Sequence, residues 1–138
     1  MRIVHRIIAV CITFLVFTGC EKDLSPMLTG GIWDFQDIIT DSTSDSVRSS
    51  IALDKAFLVG STLEFMSDGH YIIRLPLLTQ PTRGIWTLTD NSRLLFDADN
   101  QPSSDAVILI LTDDSLSYRV TYDDAGPDTY RVTTYWSR

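Results

Sequence analysis

The chain is 138 residues long and 44% apolar, and its eighteen acidic side chains against eleven basic ones give a formal charge of −7. That balance argues against nucleic acid, which rewards clustered lysine and arginine, and against an electrostatic grip on anionic lipid. It favours cationic or neutral partners, although many of the aspartates fall in turns, where they simply solvate loops.

The opening segment reads as an address. Arg2 and Arg6 precede an eleven-residue apolar run, Ile7 to Phe17, broken only by Thr13. A basic start, a short apolar core and small residues before a cut make a secretory signal peptide. The run is too short for a transmembrane helix, which needs roughly 20 apolar residues. Thr18-Gly19-Cys20 resembles the lipobox of bacterial lipoproteins, with Phe17 where leucine is usual. The resemblance implies cleavage before Cys20, a thioether-linked diacylglycerol on its sulfur, and an acyl chain such as palmitate on its new amino group. Several chains anchor a protein stably where one binds only marginally. The partner it implies is therefore a lipid bilayer.

Residues 1–19 are read as the signal peptide, 20–29 as a lipidated tether and 30–138 as one domain. Glu21-Lys22-Asp23 resembles the surface-export signal of Bacteroidetes lipoproteins, which implies the outer membrane; cell-surface display and the periplasmic face stay open as alternatives. Loss of Arg2 and Arg6 leaves nine basic against eighteen acidic residues, a charge of −9. Cys11 leaves with the signal and Cys20 is lipidated, so no thiol or disulfide remains. The domain must then be held by its hydrophobic core, which residues 20 to 138 are enough to build.

After a stretch from Leu24 to Thr29 without periodicity, Trp33, Phe35 and Ile39 alternate with Asp34 and Gln36, as in a half-buried strand. Thr40 to Ser50 is polar throughout and reads as a mobile surface loop. Ile51 to Val59 predicts one or two helical turns, with Ser50 as cap and Gly60 as stop. From Ser61 every element reads as strand. Leu63 and Phe65 alternate with Thr62 and Glu64, Ser67-Asp68-Gly69 makes a tight hairpin turn, and His70 to Leu75 returns with Tyr71, Ile73 and Leu75 on one face. Pro76 ends that strand because proline donates nothing to a ladder. Arg83 to Leu88 carries Trp86, Thr89-Asp90-Asn91-Ser92 turns, and Arg93 to Asp97 follows.

Beyond a polar loop, Ala106 to Leu111 is apolar on both faces, as expected of a strand covered on both sides. Leu116, Tyr118, Val120 and Tyr122 then alternate with Ser117, Arg119 and Thr121. The last strand carries Tyr130 and Val132 on the face that reaches Trp136. Eight short strands joined mostly by tight turns predict an all-β fold, an antiparallel up-and-down barrel with a short helix between strands one and two. Closure also removes exposed sheet edges.

These residues resemble the lipocalin-like domain of Bacteroidetes lipoproteins. Gly31-Ile32-Trp33 is similar to the Gly-x-Trp of the opening strand, and Leu63-Glu64-Phe65 with Asp68-Gly69 and Tyr71 to the second hairpin. Gly84-Ile85-Trp86-Thr87-Leu88 is similar to the central strand, and Asp114-Ser115-Leu116-Ser117-Tyr118 to the late hairpin. The resemblance implies a barrel whose interior takes a small apolar molecule. It also implies an arginine packed over the Trp33 indole, with Arg119 and Arg131 as the candidates.

Chemistry is harder to read. Asp97, Asp99 and Asp105 invite a calcium reading, but Pro102 and Ile108 stand where an EF-hand needs Gly and Glu, so a solvated acidic loop is the default. His70 is the one histidine left after the signal, and alone it makes neither a zinc site nor a recognisable triad. Asp34, Asp37 and Glu64 offer an acid pair only as any acidic chain does. No catalytic constellation, metal or cofactor is read here. The aromatics at strand positions are the better clue: Trp33, Phe35, Phe65, Tyr71, Trp86, Tyr118, Tyr122 and Tyr130 are expected in the core, a subset of them lining a pocket. Two functions follow. One is a carrier of a small hydrophobic or amphipathic ligand; the other is a filled barrel that contacts another envelope protein.

Overall fold

The computed structural model describes residues 23–98, 104–123 and 129–138. The signal segment 1–19, Cys20, Glu21-Lys22 and Asp99 of the acidic loop lie outside the described residues. The elements run α1 (Ser25–Thr29), β1 (Ile32–Thr40), α2 (Asp45–Leu58), β2 (Thr62–Phe65), β3 (His70–Arg74), β4 (Thr82–Thr89), β5 (Arg93–Ala98), β6 (Ser104–Leu111), β7 (Ser115–Asp123) and β8 (Thr129–Ser137). Each strand pairs antiparallel with the next and β8 closes on β1, so the eight form the expected up-and-down barrel. A helix between the first two strands is present as well.

Local chemistry explains the turns. Gly69 has φ +87°, which a residue without Cβ adopts at no steric cost, and the His70 amide donates to Asp68 Oδ1 at 3.0 Å. Asp90 and Asn91 both sit at φ near +50° as the two central residues of the turn that the Ser92 amide closes onto the Thr89 carbonyl, a conformation in which Asp and Asn are the best tolerated non-glycine residues. Gly60 at φ +78° follows the end of α2.

Several elements differ from the sequence expectation. Ser25–Thr29 is a helical turn and not a bare tether, with Pro26 in its first positions and Leu28 fully buried. Five residues are too few to show a period, and proline at a helix start is preorganised for it. The polar stretch expected to be a loop becomes helical from Asp45, with Ser44 rather than Ser50 before the first turn. No α2 residue is fully buried, and only Val47, Ile51 and Leu58 are half-buried, so the helix carries no clear apolar stripe. Ile39 faces outward and is 48% exposed, because the β1–β8 register shifts between Phe35 and Asp37. An extra residue in one strand reverses the inward parity, and Ile38 takes the inward place. A second shift between Ile108 and Ile110 does the same in β6. There the apolar outer face is not covered: Val107, Leu109 and Ile110 are all exposed.

The barrel has a floor and a mouth. At the floor, α1 closes the end where β1 begins, and the Trp33 Nε1 donates to the Leu28 carbonyl at 3.0 Å. The Leu24 amide donates to Asn91 Oδ1 at 3.1 Å, tying the start of the described chain to the same end. Above it Leu63, Phe65, Leu94 and Leu116 are buried to within 1% of complete exclusion. Phe35 meets Trp136 edge-on at 5.6 Å and Phe65 meets Trp86 at 5.5 Å, geometries that favour aromatic pairs. The core residues run from Leu28 to Trp136, so residues 21–138 hold every element of the barrel.

The arginine over the Trp33 indole is Arg138, its guanidinium carbon 3.7 Å from the ring centroid. Neither Arg119 nor Arg131 does this. Arg119 Nε reaches Thr133 Oγ1 at 3.4 Å, and Arg131 lies 3.8 Å from Asp41. Both project from the outer wall nearer the mouth, whereas Trp33 lies at the floor.

Candidate functional site

The upper half of the barrel is hollow. β1 pairs with β2 only through Ile32 to Asp34, and its continuation to Thr40 pairs with β8 alone. The wall formed by β2 and β3 is therefore low, and α2 stands in the gap beside β1. Lys55 Nζ reaches Asp37 Oδ1 at 2.6 Å and holds that carboxyl below its ordinary range, chiefly by hydrogen bonding.

Two adjoining cavities occupy this region. The inner one, of about 240 Å³, is lined by Ile38, Tyr71, Ile73, Thr82, Phe96, Ser104, Tyr118, Val120, Tyr122, Val132 and Thr134. The outer one, of about 370 Å³, lies under α2 and is lined by Val47, Ser50, Ile51, Asp54, Tyr122 and Tyr130 among others. They share Ile38, Tyr122 and Val132. Among the described residues no charged side chain lines the inner cavity, and a few hydroxyls punctuate an apolar wall, the composition usual for small-molecule sites.

Strand pleat explains the lining. Tyr118, Val120 and Tyr122 continue the inward face of β7 above Leu116, and Val132 and Thr134 continue that of β8 above Trp136. Phe96 links Tyr71 at 5.3 Å to Tyr118 at 5.2 Å, a rung of aromatics between the packed floor and the hollow. Gly84 lies opposite Tyr71 in the β3–β4 ladder. A Cβ there would stand 2.7 Å from the Tyr71 ring and 2.4 Å from the Asp97 carbonyl, so this glycine lets the Tyr71 ring lie flat on the wall. Burial pushes the Tyr118 hydroxyl up to about 12, which keeps it a neutral donor and acceptor. At the mouth Tyr122 and Tyr130 stack at 5.3 Å with ring planes 17° apart.

The eight aromatics singled out from sequence thus divide. Tyr71, Tyr118 and Tyr122 line the inner cavity, and Tyr122 and Tyr130 the outer one. Trp33, Phe35 and Phe65 fill the floor, and Trp86 donates its Nε1 to the Met66 carbonyl at 3.0 Å. Sequence reasoning missed Ile38, because the bulge hid its parity, and Val47, Ile51 and Asp54, because their segment read as loop or weak helix. Phe96, Val120 and Val132 carried a signal in their strand alternation.

The other candidate chemistry disperses. Glu64 pairs with Arg74 at 3.0 Å and Asp37 with Lys55, so these carboxylates face cations and not each other. His70 is exposed beside Asp68 at 3.1 Å, and Asp105 pairs with Arg93. Among the described residues no three potential metal ligands cluster.

Fold and cavity together define the class: a closed eight-stranded antiparallel up-and-down barrel with an apolar hollow at one end. No family model matches the chain, and no curated protein matches it either. Among solved structures, it is similar to a duf4847 family protein from Bacteroides vulgatus at 13% sequence identity and a TM-score of 0.49. The likeness covers 81% of this chain and 96% of that one.

Proposed function

We propose that the protein is a lipid-anchored envelope lipoprotein whose barrel, lipocalin-like in its plan, binds a small hydrophobic or amphipathic ligand in the hollow. The observation that carries this reading is the inner cavity, enclosed by strands and lined by tyrosines, aliphatic side chains and hydroxyls, with no charged side chain among the described residues. Such a site rewards an apolar body through area removed from water and orients it through a few hydrogen bonds. The packed floor leaves the mouth as the route of entry.

The anchor reading rests on Thr18-Gly19-Cys20 and gains a geometric consequence. Asp23 lies at the floor end, and three residues span at most about 11 Å. An acylated Cys20 would hold the floor against the outer membrane and aim the mouth away from it.

Native mass spectrometry of residues 21–138 released gently from cells tests the pocket. A co-purifying small mass, lost in a folded Val120→Phe variant that fills the hollow, supports it. A bare mass, together with no change in tryptophan fluorescence on adding apolar probes, overturns it. Labelled palmitate incorporated by the full chain, but not by Cys20→Ser, tests the anchor. A second reading, contact with another envelope protein, draws on the exposed Leu53 and Phe57 of α2 and on Leu77 and Leu78 of the β3–β4 loop.

A further inference from the structure

We propose that the outer cavity recognises the ammonium head of an amphiphilic amine, whose apolar body occupies the hollow below. This deepens the ligand-binding reading and rests on it. The inner cavity sets the tail's chemistry, and the outer one has features that select the head.

Among the described residues, Asp54 is the one charged side chain lining either cavity. It projects from the same α2 face as Val47 and Ile51, which are half-buried against the mouth. Among the described residues no lysine, arginine or histidine forms an ion pair with it. The adjacent Lys55 is engaged by Asp37 at 2.6 Å and lines neither cavity. Across the cavity stand the stacked rings of Tyr122 and Tyr130. Desolvation raises the Tyr122 hydroxyl above its ordinary value, and the neighbouring Tyr130 and the Asp54 carboxylate raise it further, as a site of negative potential would.

An unpaired carboxylate and aromatic faces both attract an organic cation, the faces through their quadrupole. The same groups repel a carboxylate head and give nothing special to a neutral one. Among the described residues no lysine, arginine or histidine lines either cavity, so a carboxylate head finds no counter-charge there.

The test is calorimetric titration of residues 21–138 with n-octylammonium, 1-octanol and octanoate, probes that share a tail and differ in the head. The expected result is octylammonium binding about tenfold tighter than octanol, the size that one partly exposed carboxylate and a cation–π contact supply, with octanoate weakest. In Asp54→Asn, checked as folded by circular dichroism, that advantage should vanish while octanol binding is unchanged. Asp123→Asn, which removes an equal charge from a residue that lines neither cavity, should keep the advantage. Octanol binding that Val120→Phe abolishes, with no preference for octylammonium over octanoate, overturns the amine proposal and leaves the pocket standing. An equal loss of the preference in Asp123→Asn overturns it too, since overall charge would then be the cause. Binding of none of the three probes overturns the pocket reading and this proposal together.

Discussion

The guanidinium of Arg138 lies 3.7 Å over the indole of Trp33 and joins the two ends of the barrel chain at its floor. The same group donates to the carbonyls of Leu28 at 3.0 Å and Asp113 at 3.2 Å. It thus fastens α1, β1 and the β6–β7 turn to one another. Arg138→Ala should cost about 1–3 kcal/mol, the sum expected of a cation–π contact and charge-assisted hydrogen bonds that are partly exposed. Arg138→Lys should recover less than half of that, because an ammonium lacks the planar fork that covers the ring while donating to both sides. Urea denaturation with an unchanged slope would show it. An unmoved midpoint in Arg138→Ala would mean that the latch contributes nothing.

Gly84→Ala should be disproportionately harmful for one methyl group. Its Cβ would sit 2.4 Å from the Asp97 carbonyl, a backbone atom held in the β4–β5 ladder, and 2.7 Å from the Tyr71 ring. Overpacking of this kind costs about 1–3 kcal/mol. Relief by rotating Tyr71 inward would also shrink the hollow, so the variant should lose affinity for octanol along with its melting temperature. A variant as stable as the parent would show that the wall yields more easily than the ladder implies.

The two helix–barrel and strand–strand layers should differ sharply in stability. Leu116 is 1% exposed in the floor, so Leu116→Ala should cost about 2–5 kcal/mol. Ile51 is only half-buried on α2, and Ile51→Ala should cost less than about 1 kcal/mol. Amide exchange should follow the same order, with α2 opening at lower free energy than β7 and β8. Equal protection of α2 and the strands would contradict the loose packing of the helix over the mouth.

Alkaline pH should loosen the barrel through Tyr118. Its folded-state pKa of about 12 lies above the ordinary tyrosine value of 10, with burial as the largest cause. The unfolded chain therefore gives up this proton first, and the contribution is fully present below pH 10 and lost as pH rises through about 12. Its size is about 2–3 kcal/mol. Tyr118→Phe should flatten the fall in denaturation midpoint over that window, and ultraviolet difference absorbance should show the latest tyrosinate step missing from that variant. A fall of the same steepness in Tyr118→Phe would assign it to other groups.

Sequence alone determined the barrel's plan, and the reasons are local. Alternation at Leu63–Phe65, Tyr71–Ile73 and Leu116–Tyr122 needs only the pleat, and Asp68-Gly69 and Asp90-Asn91 carry their turn geometry in their own backbone preferences. Those signals gave the order of strands and most of the inward faces. Tertiary structure decided what short-range patterns cannot encode. Bulges in β1 and β6 reversed inward parity at Ile38 and Ile110, and a bulge is specified by the partner strand's register as much as by its own residues. The choice of Arg138 over Arg119 and Arg131 depended on which arginine the closed ladder brings to the floor. The filled lower half and hollow upper half arose because the short β2 and β3 leave a gap that α2 spans without filling. Asp54 became a candidate only then, since a carboxylate on a weakly amphipathic helix gains meaning from the tyrosines that closure places opposite it.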